Sequence, residues 1–311
     1  ANYVAQIGEA KFESLQDAVN AAQEGETITL IWNEGNAPIA MNGAVYGKTV
    51  TITGTATVDW NKGFLFVGRG GEGNGTVIFD NANLTSASNS ASYGIHVSGR
   101  EKNTNNKYDG TLVIKNSTIE LDFLINKGIM TLDSSTLTVK NGFSIGGRPA
   151  KETVSGEDAT ATISLTNGSK VIVNNHNGMG LGYEAIGVMN VDKTSSFETT
   201  QSFLVTAKGT MNLAGTAKVA GTLTNNGSIV LTDAAATLTS SECGNVTTTV
   251  NGYEVKYAEG KYALKAEEVL NDRILPQRDR IIALQAEGKE GWFVYEKGYD
   301  YLFGLDSHEK T

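Results

Sequence analysis

Acid–base or metal chemistry needs carboxylates, imidazoles or thiolates brought together on neighbouring elements. Such residues are sparse in the repetitive part of this chain, which has only three histidines and one cysteine in 311 residues. Asp122 and Asp133 occupy similar places in two successive repeats. Stacked carboxylates of this kind hold Ca²⁺ or share a proton. Without a metal, like charges at strand spacing repel, and one pKa must rise. The expected arrangement is the plainer one, in which both face solvent and do not align. Ca²⁺ is the only cofactor the sequence brings into question, and no metal site is assigned.

His96 lies in the alternating run Tyr93-Gly94-Ile95-His96-Val97 and is expected to face outward or to sit satisfied at a corner. Tyr93, Tyr108 and Tyr183 flank polar insertions, where an aromatic ring can stack on a sugar. With His96 they form the candidate ligand-binding set. The glycine-rich stretch Arg69–Gly75 lacks the Lys-Ser or Lys-Thr of a phosphate cradle, and a strand-like run follows it, so it reads as a corner. Cys243 is alone, which excludes a disulfide framework or a cysteine zinc site within one chain. No catalytic residue is assigned.

These side chains are carried by a repeat. Residues 210–232 read as one full turn and the start of the next. Met211 and Leu213, then Ala217 and Val219, then Leu223 alternate with small polar residues, and the pattern restarts at Ile229 and Leu231. The corner Asn225-Asn226-Gly227 is expected to supply a positive φ. The opening recurs at Gly75, Gly110, Gly128, Gly187, Gly209 and Gly227, with a looser copy at Thr160. Periods of roughly 20–50 residues signal a solenoid, propeller or array, and the shorter spacings suit three-strand turns better than propeller blades. Glycine is abundant at 36 and proline scarce at 3. The run Phe64–Val67 is apolar at every position, as on a strand covered on both sides.

Ahead of the repeats, Ser14 is a helix N-cap, with Leu15, Ala18, Val19 and Ala22 on one apolar face and Gly25 ending the helix. Ser14, Gln16, Ala18, Val19, Ala21, Ala22, Gly25, Thr27, Ile28 and Leu30 match a recurrent opening of right-handed parallel β-helix proteins. The segment therefore resembles the pectin-lyase-like superfamily. That resemblance implies an all-β fold, a right-handed parallel β-helix (solenoid) with an N-terminal capping helix. It also raises a polysaccharide lyase or glycoside hydrolase as the alternative function. Residues His176–Gly182 echo the Gly-His-Gly region of polygalacturonases, but the accompanying Asn-Thr-Asp, Asp-Asp and Arg-x-Lys runs do not appear in order. Residues 246–264 read as a β-hairpin turning at Gly260 and resemble the closing hairpin of repeat surface proteins from gut-type Gram-positive bacteria.

Two domains are expected. Residues 1–264 form the β-helix, and residues 265–311 an α+β tail. In the tail, 267–284 is helical in type, with Pro276 breaking or kinking it. Trp292, Phe293, Tyr295, Tyr299, Tyr301 and Phe303 are too apolar to remain in water. They read as a C-terminal cap or as an assembly segment contacting another protomer.

A net charge of −9 argues against nucleic acid or anionic membrane as a partner, and no apolar run is long enough to span a bilayer. The expected function is a non-catalytic, secreted or cell-surface module. It would act as an adhesin, a carbohydrate-binding unit or a structural stalk, with a glycan or a host surface protein as partner. A trimeric phage-type fibre is a third possibility.

Overall fold

The computed structural model describes residues 1–69, 72–98, 110–148, 160–174 and 180–267, together with Arg278, Ile282, Ala283, Ala286 and Glu287. The chain forms two compact units, Ala1–Asn251 with Val255–Leu264, and Gly252–Glu254 with Lys265–Thr311.

The first unit is all-β, and its sheet is parallel-dominant and nearly closed. Alternation is the cause. In Gly110–Lys115, Leu112 and Ile114 are buried while Thr111, Val113 and Lys115 are half-buried, and the same pattern holds in Ile129–Asp133, Ile186–Val191 and Gly209–Leu213. Each strand therefore has one apolar face to bury, and equivalent strands satisfy that need by stacking in register.

The strands fall into three parallel ladders. Ladder A begins at Thr27–Leu30 and continues through the first halves of Lys48–Asp59 and Gly75–Ser86. It then takes in Gly110–Lys115, Ile129–Asp133, Thr160–Thr166, Ile186–Val191, Gly209–Leu213, Ser228–Leu231 and Val246–Thr248. Ladder B includes the first halves of Thr118–Asn126 and Thr136–Ile145, then Lys170–Val173, Ser196–Thr199, Thr216–Val219 and Thr237–Thr239. Ladder C includes Gly43–Val45, Leu65–Val67, Ile95–Val97, the second halves of Thr118–Asn126 and Thr136–Ile145, Gly180–Leu181, Phe203–Val205 and Leu223–Asn225. The chain visits A, B and C in that order again and again, an arrangement compatible with a β-helix. Residues 210–232 trace one such course, from ladder A through B and C and back to A.

The inward side chains make one continuous core, with Phe79, Leu132, Phe143, Phe197 and Leu213 among its members. Every glycine-led repeat opening lies on ladder A. The glycine is needed there because the corner leaves no room for a Cβ. A Cβ at Gly75 would lie 1.9 Å from the Val45 carbonyl oxygen, one at Gly110 2.0 Å from that of Val67, and one at Gly187 2.0 Å from that of Ile145. Gly227 belongs to this set, with the Gly209 oxygen 2.2 Å away, and it does not have the positive φ expected of it. Left-handed backbone occurs at the corner between ladders A and B, at Asn81, Asn116, Ser134 and Asn167, with φ of 50° to 53°, and also directly after ladder C strands, at Gly68, Ser98 and Gly182. Asparagine tolerates this region because its short side chain hydrogen-bonds locally.

Next to that corner, buried serines bind successive courses together. Ser117 Oγ accepts from Ala82 N, Ser135 Oγ from Ser117 N, Ser169 Oγ from Ser135 N, and Ser195 Oγ from Ser169 N, at 3.0–3.1 Å. The serines satisfy backbone donors that the tight corner removes from the ladders.

The helix α1 (Leu15–Ala21) is capped by Ser14, whose hydroxyl accepts from Asp17 N, and it buries Leu15, Ala18 and Val19 in the core. It stops at Ala22, three residues before the expected Gly25. Lys48 Nζ accounts for the early end by donating to the carbonyls of Val19 and Ala22 at 2.9 and 2.7 Å. A short strand that the sequence reading missed, Ala10–Phe12, pairs antiparallel with Ala5–Ile7, which in turn pairs antiparallel with Thr27–Leu30. At the far end Thr237–Thr239 pairs antiparallel with Lys261–Ala266. The positive φ values of Glu259 and Gly260 suit a two-residue hairpin turn at the expected place.

In the second unit Glu267 N donates to Gly252 O at 2.9 Å. Arg278, Ile282, Ala283 and Ala286 are helical. Pro276 and the expected assembly residues Trp292, Phe293, Tyr295, Tyr299, Tyr301 and Phe303 lie outside the described residues.

Candidate functional site

The outward side of a sheet ordinarily meets water, yet part of ladder C is buried on that side too. Its outward row runs Phe66, His96, Ile125 and Ser144 across four courses. His96, Ile125 and Ser144 are all buried. Phe64, Phe123 and Ile125 form a second apolar cluster, separate from the main core, with Phe66 packed against it. This fits the double-sided covering expected of Phe64–Val67.

Aromatic geometry organises the cluster around Phe64. Its ring meets Tyr93 edge-on at 5.4 Å, His96 at 5.1 Å, Phe66 at 5.5 Å and Phe123 at 6.5 Å. His96 also lies 5.6 Å from Phe66, and the Arg69 guanidinium sits 5.3 Å over the Phe66 ring. Edge-to-face contacts of this kind fix ring orientation as well as burying area. Tyr93 is 37 % exposed and is the member that presents a ring to solvent.

Tyr93 is held in place from below. Asp122 is fully buried, which corrects the expectation that it faces solvent. Its carboxylate accepts from Ser86 Oγ and Ser88 Oγ at 2.6 Å and from Ser90 N at 2.8 Å, and Lys140 Nζ lies 3.8 Å away. Lys140 Nζ also donates to the Ser88 carbonyl. Ser90 Oγ in turn accepts from Tyr93 N at 2.9 Å. Asn141 Nδ2 donates to Asn89 Oδ1 at 2.7 Å and to Ser90 O at 3.1 Å. A buried charge is costly unless it is paired and hydrogen-bonded, and here that requirement stiffens the loop carrying Tyr93. Asp133 is elsewhere, at the end of ladder A's strand Ile129–Asp133, and accepts from Ser134 and Asn167. The two aspartates do not align.

A buried ionic group lies at the corner leading out of ladder C. Lys127 and Glu184, each about 1 % exposed, approach to 3.8 Å, and Arg148 Nε donates to Glu184 at 2.8 Å. The sequence reading missed Lys127 and Glu184. The available signal was a lysine two residues after the apolar run Phe123–Ile125 and a lone glutamate between Tyr183 and Ala185.

Of the four residues singled out from sequence, Tyr93 and His96 are brought together on Phe64. His96 lies on the outward side of ladder C, as expected, but is buried there in the aromatic cluster. Tyr183 is half-buried next to Glu184, and burial pushes its hydroxyl pKa up. Tyr108 lies outside the described residues. Cys243 is half-buried, with burial the main cause of a raised thiol pKa, and its backbone is clasped by the Tyr262 hydroxyl. Among the described residues no group of three His, Cys, Asp or Glu side chains is placed to hold a metal ion. Among them, too, no helix is long and apolar enough to cross a membrane.

The arrangement can present one braced aromatic ring between amides and a lysine. No known protein family, curated protein or solved structure matches this chain.

Proposed function

We propose that the chain is a non-catalytic, secreted or cell-surface β-solenoid whose outer ladder C face binds glycans. In this reading the three ladders coil right-handed, and α1 closes the first turn as a lid. The observation that carries it is Tyr93, part-exposed, edge-on to Phe64 and tied through Ser90 to the buried Asp122 carboxylate. Sugar rings are bound by aromatic faces held rigid beforehand, with amides and ammonium groups nearby to meet hydroxyls. Asn89, Asn141 and Lys140 supply those groups next to the Tyr93 loop.

The test is a screen of the whole chain against pectin, alginate, mucin glycans and host matrix, scoring both retention and cleavage. Retention that falls at least tenfold in Tyr93→Ala, with an unchanged melting temperature, is the expected result. Release of reducing ends or unsaturated products would replace this reading with a polysaccharide-active enzyme. Retention indifferent to Tyr93→Ala would move the binding surface elsewhere.

A further inference from the structure

The outward surface of ladder A differs in kind from the aromatic shelf. Its strands stay in register from Lys48–Asp59 to Val246–Thr248, so outward side chains line up in straight rows. One row carries Thr49, Thr76, Thr111, Thr162, Thr210 and Ser228, with Ile129 and Val188 filling the remaining places. The row beside it carries Thr51, Thr131, Ser164, Asn190, Asn212 and Thr247, with Ile78, Val113 and Val230 between them. None of these positions is charged and none is aromatic. Charge flanks the rows: Lys115 lies 3.7 Å from Asp80 in the next row, with Asp133 following, and at the first course the Glu24 carboxylate accepts from Thr49 N at 2.8 Å.

This composition selects among ligands. A charged polymer would need countercharges, and the rows have none. Pyranose rings are gripped by aromatic faces, and the rows have none of those either. What remains is a rigid lattice of hydroxyl, methyl and amide groups. Its repeat is about 4.8 Å across strands and about 6.7 Å along them. Most of its members are β-branched and stiff at χ1, so hydroxyls and methyls are held in place before any contact. Asn212 Nδ2 donates to Asn190 Oδ1 at 2.9 Å, and Asn190 Nδ2 to Ser164 Oγ at 3.2 Å, which fixes the amides as well. Methyls order the water over them, and hydroxyls and amides anchor it, at two spacings comparable to those between oxygens in ice planes.

We infer that the outer face of ladder A adsorbs to ice, acting as an ice-binding surface separate from the Tyr93 shelf. A row of small uncharged groups has no single strong contact, so affinity must come from many courses acting together. One bulky side chain in mid-face would then lift several neighbouring courses off the crystal plane.

The experiment is nanolitre osmometry on the full chain. A gap between melting and freezing temperatures is expected, with faceted crystals inside the gap. Thr162→Tyr and Thr111→Lys, both mid-face, should abolish the gap at an unchanged unfolding temperature. Thr138→Tyr, on ladder B, and Tyr93→Ala should leave it intact. Two mid-face variants are used so that misfolding of one leaves the other as the test. The inference is overturned if the folded protein shows no gap, if the gap survives both mid-face variants, or if Thr138→Tyr abolishes it equally.

Discussion

Single atoms decide much of this structure. At Gly110 the missing Cβ lets the corner approach the Val67 carbonyl, and adding one at 2.0 Å forces backbone to move. Gly110→Ala should cost about 3 kcal/mol by urea denaturation, in the range of overpacked cores. Gly168→Ala is the companion measurement. Its Cβ would meet nothing within 4 Å, but its φ is +75°, so only the left-handed backbone penalty of about 1 kcal/mol applies. Equal losses at the two sites would refute the close-approach explanation. Asp122→Ala removes the acceptor for two serine hydroxyls and one backbone N–H, and should cost about 3 kcal/mol. It should also weaken glycan retention through the loosened Tyr93 loop. Asp122→Ala with unaltered stability would mean that the carboxylate does not brace that loop.

At the level of elements, stacking in register is what makes weak strands persist. Three or four residues per strand would not hold alone, but each inward side chain meets its counterpart above and below. Leu132, fully buried in ladder A, has Ile114 and Leu165 in its adjoining strands among its stacking neighbours. Leu132→Ala should destabilise by about 2–5 kcal/mol in chemical denaturation. The helix α1 depends on a partner outside itself. Lys48→Met keeps much of the stem's packing but removes the donor to the Val19 and Ala22 carbonyls. A loss of about 1–2 kcal/mol and faster amide exchange through residues 15–22 are expected. Unchanged exchange would show that the helix end is satisfied another way.

Over the whole molecule, the first unit presents antiparallel pairing at both ends of its parallel ladders, at Ala5–Ile7 and at residues 261–263. Unpaired parallel edges invite other chains, and reversing strand direction is one way to blunt them. Charge makes the same unit sensitive to acid. Asp192 and Asp133 titrate below the ordinary aspartate value of 3.8. For Asp192 burial works upward, but hydrogen bonds from Thr194, Ser195 and Asn167 outweigh it. For Asp133 the hydrogen bonds from Asn167 and Ser134 dominate. A depressed folded pKa means these groups add stability above the unfolded value, and that stability is lost as pH falls through the folded one. Both carboxylates are largely solvent-screened, so the melting temperature should fall modestly as pH drops below about 4. Asp192→Asn should show a shallower drop in that window. An identical acid limb in Asp192→Asn would exclude this corner as its source.

The repeat itself was legible in the chain. Alternation in residues 210–232, the glycine opening each repeat and the Ser14 cap were each enough to place strands, ladder spacing and helix start, because all are local consequences of backbone geometry. Even there the spacing of the glycines did not reveal why they are needed, and the positive φ expected at Gly227 is absent. Their role depends on a carbonyl from a distant course, and no neighbouring residue reveals it. The double covering of Phe64–Val67 was legible in its unbroken apolar run, but the Asp122 clasp, the seating of His96 against Phe64 and the Lys127–Glu184–Arg148 group were decided by tertiary structure alone. Each joins residues about thirty or more positions apart, and only stacking sets which side chains become neighbours.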